Sequence, residues 1–204
     1  MRLFGRSFVV LASLILAGRF TPACAQQSAK ASQQKPAETR NPPKLTLGDS
    51  DGTPGGSVVV PIYFAPAEDV EVGELKFTVN FVSRNMKYAS LKRGLAAESG
   101  NVELHAEVKE DKNDKGLEVS TLSVVASILS PRPGQKGMPG GLLGYITFQV
   151  NEKAGPANIT LRTTGEAAEL GTKKSIPTLK TVDAVVDILA AGSEPLVSCF
   201  FFSH

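Results

Sequence analysis

The chain has 204 residues, 42% of them hydrophobic, with 13 Pro, 19 Gly, two Cys, two His and no Trp. Two Cys and two His cannot supply a multi-ligand zinc site or a disulfide framework, so no metal or other cofactor is expected. The formal net charge is +2, but once Arg2, Arg6 and Arg19 near the N-terminus are set aside, 19 basic residues stand against 20 acidic ones. The rest of the chain is therefore nearly neutral and lacks the excess of basic residues that is typical of proteins that bind nucleic acid.

The first 25 residues have the three parts of a Sec signal peptide. Met1–Arg6 carries two Arg, Phe8–Gly18 is uncharged and mostly apolar, and Ala23 and Ala25 are small residues at the positions that a signal peptidase recognises. The apolar run is too short for a transmembrane helix, which needs about 20 residues. We therefore expect cleavage after Ala25 and export to the periplasm, the cell surface or the medium. Lipidation at Cys24 is the alternative, although the residues before it lack the aliphatic side chain of a lipobox.

Three further segments follow the signal peptide. Gln26–Lys44 has no apolar side chain larger than Ala and contains several Pro, which predicts a disordered, extended linker. Leu45–Leu189 has the length of one sandwich domain. Ala190–His204 breaks the strand pattern and ends in a cluster of Cys199 and Phe200–Phe202, for which we have no physical account.

Period-two alternation of apolar and polar residues recurs along the domain and predicts strands. Four alternating segments are predicted to bury every second side chain, starting with the first Val or Leu: Val58–Phe64, Gly73–Phe81, Val102–Val108 and Val182–Ile188. Leu142–Val150 and Asn158–Leu161 add two more strands, and Gly116–Val125 predicts a strand that is more fully buried. Gly165–Gly171 is the one window that could hold a helical turn or two. About nine short strands with Gly-, Pro- and Asp-rich turns between them predict an all-β, antiparallel β-sandwich.

Few residues of the domain have a pattern that points to chemistry. Asp49–Gly52 resembles the start of a calcium loop, but the later acidic ligands are missing, so a turn capped by an Asp side chain is expected. His105 lies between two Glu on a polar face with no nucleophile to serve, and no paired carboxylates indicate glycoside hydrolysis. An aromatic platform for sugars could only be built from Tyr63, Tyr88 and Tyr145. The sequence therefore predicts a protein that is not an enzyme.

Three segments, taken in order, resemble the cohesin domain of cellulosome scaffold proteins. Gly52–Ile62 (GTPGGSVVVPI) is similar to the opening motif of that family. Leu75–Phe81 (LKFTVNF) and Met86–Leu91 (MKYASL) match the strands on either side of its Tyr-Asp-Pro turn. Gly141–Val150 (GLLGYITFQV) and Ala154–Leu161 (AGPANITL) resemble its late strand and the turn that follows. The resemblance implies a nine-stranded jelly-roll sandwich, an architecture that carbohydrate-binding modules share.

The resemblance also implies a function and a binding face. Cohesins bind the dockerin module of polysaccharide-degrading enzymes without catalysis, through the outer face of one sheet. The outward residues of the two matching strands are the predicted partner-binding residues: Glu74, Lys76, Thr78, Asn80, Glu103, His105 and Glu107. Many type I cohesins have Asn-x-Asp where this chain has Glu74 and Lys76, and their Tyr-Asp-Pro turn is replaced here by Phe81–Ser83. We expect Lys76 to contact an acidic position on the partner.

Three functions remain open from the sequence. The leading hypothesis is a secreted binding module that recognises a dockerin-type module of a secreted glycoside hydrolase in extracellular polysaccharide degradation. A carbohydrate-binding module that binds polysaccharide directly is the second, and an adhesive or structural subunit displayed on the cell envelope is the third. No internal repeat is found, so the chain is predicted to hold one partner rather than to assemble many.

Overall fold

Twelve strands and one short helix make up the residues that the computed structural model describes, which are 41–112 and 116–193. The predicted signal peptide, Cys24, most of the predicted linker and the Cys199–Phe202 cluster lie outside these residues. The elements, in chain order, are β1 (Lys44–Leu47), β2 (Ser50–Gly52), β3 (Ser57–Ala65), β4 (Val72–Val82), β5 (Met86–Arg93), α1 (Leu95–Ser99), β6 (Val102–Lys112), β7 (Glu118–Ile128), β8 (Gly141–Val150), β9 (Ala157–Glu169), β10 (Ser175–Ile176), β11 (Lys180–Val182) and β12 (Ala184–Ile188).

The strands form two sheets that face each other as a sandwich. The five-stranded sheet has the order β11-β1-β3-β8-β5, and the seven-stranded sheet has the order β2-β12-β9-β4-β7-β6, with β10 paired to β9. From β3 to β9 the chain changes sheet at every connection except the β6–β7 hairpin, so most neighbours in a sheet are distant in sequence. The predicted all-β sandwich is confirmed. Nine strands have four residues or more, and the remaining three are short edge additions.

The alternation predicted for the two longest inward rows is confirmed. Along β3, the buried side chains run from Val58 to Phe64, and along β4 they run from Leu75 to Phe81, each at most 3% exposed. The rings of Phe81 and Phe148 meet edge to face between the sheets, with centroids 5.1 Å apart and an interplanar angle of 74°. Apolar rows from both sheets therefore interdigitate to form one core.

Two predictions about local structure are wrong. β7 is not buried on both sides, because its burial alternates and only residues such as Leu122 and Val124 point inward. β7 pairs with a strand at each of its edges, but one of its faces is open to solvent. A central strand of an antiparallel sheet can be solvated on one face, whereas strands of a parallel sheet are usually buried on both. Gly165–Gly171 forms no helical turn, since β9 continues as a strand to Glu169 and pairs with β4. Cross-strand pairing there overrides a weak local preference.

Two predicted inward rows hold only in part. Val102 is fully buried, but Leu104 and Ala106 are half-buried and Val108 is 40% exposed, because β6 is an edge strand that runs past the end of the core. Val182 does not continue the row of Ala184, because it belongs to β11 in the opposite sheet. The chain crosses from one sheet to the other at this point, so the alternation of inward and outward side chains does not continue from β11 into β12.

The sheet edges depart from a purely antiparallel pattern. β1 pairs in parallel with β11, and β2 pairs in parallel with β12. Part of the predicted Asp49–Gly52 turn is therefore the strand β2, and Asp49 does not cap a local turn. Its Oδ1 atom accepts a hydrogen bond of 2.8 Å from the backbone N–H of Val185, on β12, the partner strand of β2. This carboxylate fixes the N-terminal segment to the end of the domain.

Candidate partner-binding face

Four strands of the seven-stranded sheet present an open outer surface, called here the β4 face. β9, β4, β7 and β6 lie side by side, and their outward residues fall into cross-strand rows. The rows are Ala168–Glu74–Ser127–Glu103, Glu166–Lys76–Val125–His105, Thr164–Thr78–Ser123–Glu107 and Arg162–Asn80–Thr121–Lys109. The surface is flat and rich in charged and hydroxyl-bearing side chains, as the solvated side of an antiparallel sheet is expected to be.

All seven residues predicted for partner binding lie on the β4 face. Glu74, Lys76, Thr78 and Asn80 alternate with the buried row of β4, and Glu103, His105 and Glu107 are exposed on β6. The two strands do not form a pair, however, because β7 lies between them. The β4 and β6 residues are thus two strand spacings apart, or about 10 Å.

Charge is concentrated at one end of the β4 face. The Lys76 ammonium lies 2.9 Å from the Glu74 carboxylate, and Glu166 stands opposite Lys76 on β9. The hydrogen bond and the negative charge of Glu74 raise the pKa of Lys76 above its ordinary value, and the charge of Glu166 contributes in the same direction. Lys76 therefore stays protonated, and two acidic residues surround a cation whose side chain is 53% exposed.

The centre of the face is held by hydrogen bonds between side chains. The hydroxyl groups of Thr78 and Thr164 are 2.9 Å apart, and the Thr121 hydroxyl donates to the Asn80 side-chain oxygen over 2.7 Å. These contacts join β4 to both of its neighbours. They fix the rotamers of the central polar side chains, so a partner would meet a preorganised surface.

The β6 margin of the face is more exposed. Glu103 accepts a hydrogen bond of 3.0 Å from the Arg93 guanidinium, which belongs to β5 in the other sheet. His105 Nε2 lies 3.3 Å from the Glu107 carboxylate, with both side chains about three-quarters exposed. Exposed polar contacts of this kind contribute little to folding, so these side chains remain available to a partner.

Several residues of the face were not predicted. Ser123 and Val125 on β7 lie among the predicted residues and were missed because β7 was expected to be buried. Glu166 on β9 was missed because Gly165–Gly171 was expected to hold a helical turn or two, and Thr164, just before that window, lay in no predicted element. Thr121, Ser123 and Ser127, spaced by multiples of two along β7, were the available sign of an outward row. Gly165 lines a shallow depression together with the unpredicted residues of β7 and β9. A Cβ atom at this position would come within 2.8 Å of the Lys76 backbone oxygen.

The β4 face presents groups that are suited to surface recognition. Across 41–112 and 116–193, no group of three or more His, Cys, Asp or Glu side chains is placed to hold a metal ion. No helix in the same residues is long and apolar enough to cross a membrane. The β4 face offers charges, hydroxyl groups and a flat backbone platform, which suit contact with another macromolecule.

Comparison with known proteins finds similar folds among solved structures only. No protein-family model and no curated protein matches the chain. Among solved structures, the seventh ScaB type I cohesin of Pseudobacteroides cellulosolvens is similar, with 18% identity and a TM-score of 0.54 over 80% of this chain and 98% of that one. The third ScaC cohesin of Acetivibrio cellulolyticus, in complex with a ScaB dockerin, has 18% identity and a TM-score of 0.52 over 72% and 99%. A non-cellulosomal cohesin of the archaeon Archaeoglobus fulgidus has 14% identity and a TM-score of 0.50 over 74% and 93%. The cohesin fold predicted from the sequence is confirmed.

Proposed function

We propose that this protein is an exported, non-catalytic binding module that recognises a dockerin-type module through the β4 face. The observation that carries the proposal is the cohesin fold with an open, flat and polar outer face on the seven-stranded sheet. The Acetivibrio cellulolyticus cohesin of the same fold was solved with a dockerin bound. A dockerin borne by a secreted glycoside hydrolase would connect the module to extracellular polysaccharide degradation.

The charge pattern of the β4 face sets the chemistry expected of the partner. Lys76 is flanked by Glu74 and Glu166, so an acidic group on the partner can pair with Lys76, and basic groups can pair with its two neighbours. This cluster stands where many type I cohesins carry Asn-x-Asp. The partner is therefore expected to differ in charge from the usual type I dockerin at the contacting positions. Exposed charges of this kind act mainly on the association rate and on its salt dependence.

Calorimetry against purified dockerin modules tests the proposal, with the dockerins of the source genome included. Saturable binding to one of them supports it, and Lys76→Gln should then weaken the affinity at low ionic strength, because association is slower. Lys92→Gln is the matched control, because Lys92 is an exposed strand lysine on the opposite sheet. Absence of binding to every dockerin of that genome, or equal effects of the two substitutions, would contradict the assignment.

Export is a separate part of the proposal, supported by the charged, apolar and small-residue segments of Met1–Ala25. Mass spectrometry of the native protein should find an N-terminus at Gln26, in a fraction outside the cytoplasm. An N-terminus at Cys24 that carries a diacylglyceryl group would instead show that the protein is a lipoprotein. An intact Met1 in the cytoplasmic fraction would contradict export.

A further inference from the structure

The two sheets of the sandwich carry opposite charge, although the whole chain is close to neutral. The strands of the five-stranded sheet contain no Asp or Glu and five basic residues: Lys44, Lys87, Lys92, Arg93 and Lys180. The strands of the seven-stranded sheet contain ten acidic residues and four basic ones. The overall composition does not show this separation of acidic from basic residues. An electrostatic potential of one sign over one face attracts ligands of the opposite charge.

The four lysines among these residues share the outer surface of the five-stranded sheet, called here the β3 face. Lys87 and Lys92 project outward from β5, and Lys44 and Lys180 lie side by side on the parallel pair β1 and β11. Like charges directly opposite each other on neighbouring strands are destabilising. None of the four forms an ion pair within the described residues, so the fold itself gives no compensation for their repulsion.

An apolar and aromatic strip runs between the lysines of β1 and β11 on one side and the lysines of β5 on the other. Tyr63 and Val59 are 38% and 48% exposed on β3, and Pro61 lies between them. Tyr145 on β8 stands directly opposite Pro61, with Lys92 as its neighbour on β5. Three strand spacings, or about 14 Å, separate β1 from β5 across the sheet. Lys92 is also displaced from Lys44 along the strands by the four positions between Pro61 and Ala65, or about 13 Å.

We propose that the β3 face binds an acidic polysaccharide, independently of any partner on the β4 face. Tyrosine rings and Pro offer apolar surface to the C–H faces of sugar rings, and the flanking lysines pair with the carboxylates of the polymer. Outward hydroxyl groups on the same face, from Thr46, Thr147 and Ser90, add hydrogen-bonding capacity for sugar hydroxyls. Val59 is the one exposed aliphatic side chain of the strip, and the strip is part of a sheet rather than an amphipathic helix, which favours a polymer over a membrane surface.

Affinity electrophoresis and calorimetry of the full chain test this proposal, with polygalacturonate as the probe. We expect binding at low ionic strength that weakens with salt, and no binding to a neutral polysaccharide such as dextran. Lys44→Gln, Lys180→Gln and Lys92→Gln should each weaken binding about 2–5-fold, and Tyr63→Ala about 2–10-fold. Lys76→Gln on the β4 face is the matched control and should leave this affinity unchanged.

Other occupants of the β3 face give distinct results that overturn the proposal. Equal affinity for polygalacturonate, dextran sulfate and single-stranded DNA, with no effect of Tyr63→Ala, would show bare attraction to polyanions. Preferential binding to anionic lipid vesicles would show a membrane surface. Concentration-dependent association without polymer, abolished by Lys92→Gln, would show that the acidic sheet of a second copy covers the face. Absence of binding to polygalacturonate would exclude the site, and because none of these assays contains a dockerin, it would leave the proposed function of the β4 face untouched.

Discussion

Replacing Phe148 by Ala tests whether the two sheets pack as the structure places them. Phe148 is fully buried on β8, and its ring meets Phe81 of the opposite sheet edge to face. A phenylalanine ring buries about 150–250 Å², or about 4–6 kcal/mol at about 25 cal/mol per Å². Residual compactness of the unfolded chain lowers that figure by about 10–40%. We therefore expect Phe148→Ala to reduce the free energy of unfolding by about 3–5 kcal/mol, the range usual for such a cavity.

Urea denaturation followed by circular dichroism measures this loss, and a double-mutant cycle isolates the aromatic contact. Phe81→Ala, Phe148→Ala and the double variant should give a coupling energy of about 0.5–1.5 kcal/mol, the value of an edge-to-face pair beyond its buried area. Val59→Ala is the control, since Val59 lies in the same sheet but is 48% exposed. Its cost should stay below about 1 kcal/mol.

Two outcomes would refute this account of the core. If Phe148→Ala costs no more than Val59→Ala, the ring does not lie between the sheets. If the coupling between positions 81 and 148 is zero while the m-values are unchanged, the two rings are not in contact in the native state.

Three further predictions follow from individual contacts. Gly165→Ala should lower the free energy of unfolding by about 1–3 kcal/mol, because its Cβ would lie 2.8 Å from the backbone oxygen of Lys76; a loss below about 0.5 kcal/mol would contradict that close approach. Asp183→Ala should cost about 1–3 kcal/mol in urea denaturation, because the Thr163 N–H loses an acceptor at 2.7 Å, while Asp183→Asn keeps an acceptor and should cost less. Burial raises the pKa of Tyr88, so the folded state holds this proton more tightly and stability falls as pH rises past about 10. Tyr88→Phe should reduce that alkaline loss and remove one late phenolate step from the absorbance titration; an unchanged titration curve would contradict it.

Local pattern was a good guide wherever a strand buries one face along its whole length. The alternation around Phe77 predicted both its burial and the outward positions of Lys76 and Thr78. The same pattern failed where burial depends on a distant neighbour. Val108 is exposed because β6 extends beyond the core, and Val182 changes sheet because the chain crosses the sandwich just after it.

The candidate site shows the same division between local and tertiary information. Every outward residue predicted on β4 and β6 lies on one face, since a period of two fixes the side on which a side chain projects. The insertion of β7 between them and the approach of Glu166 to Lys76 depend on strand order, which places Lys76 between Val125 and Glu166, residues 49 and 90 positions away in sequence. Side-chain alternation carries no information about which strand lies next to which.

The sequence by itself determined the β-sandwich, the inward rows around Phe64 and Phe77, and the polar character of the strand exteriors. These depend on the alternation of apolar and polar residues, which the chain specifies at each strand. Only the tertiary structure decided that the acidic residues gather on one sheet and that Lys44 and Lys180 stand side by side on the other. Charges interact through space and strands pair over long loops, so the electrostatic division of the two faces exists only once the sheets have assembled.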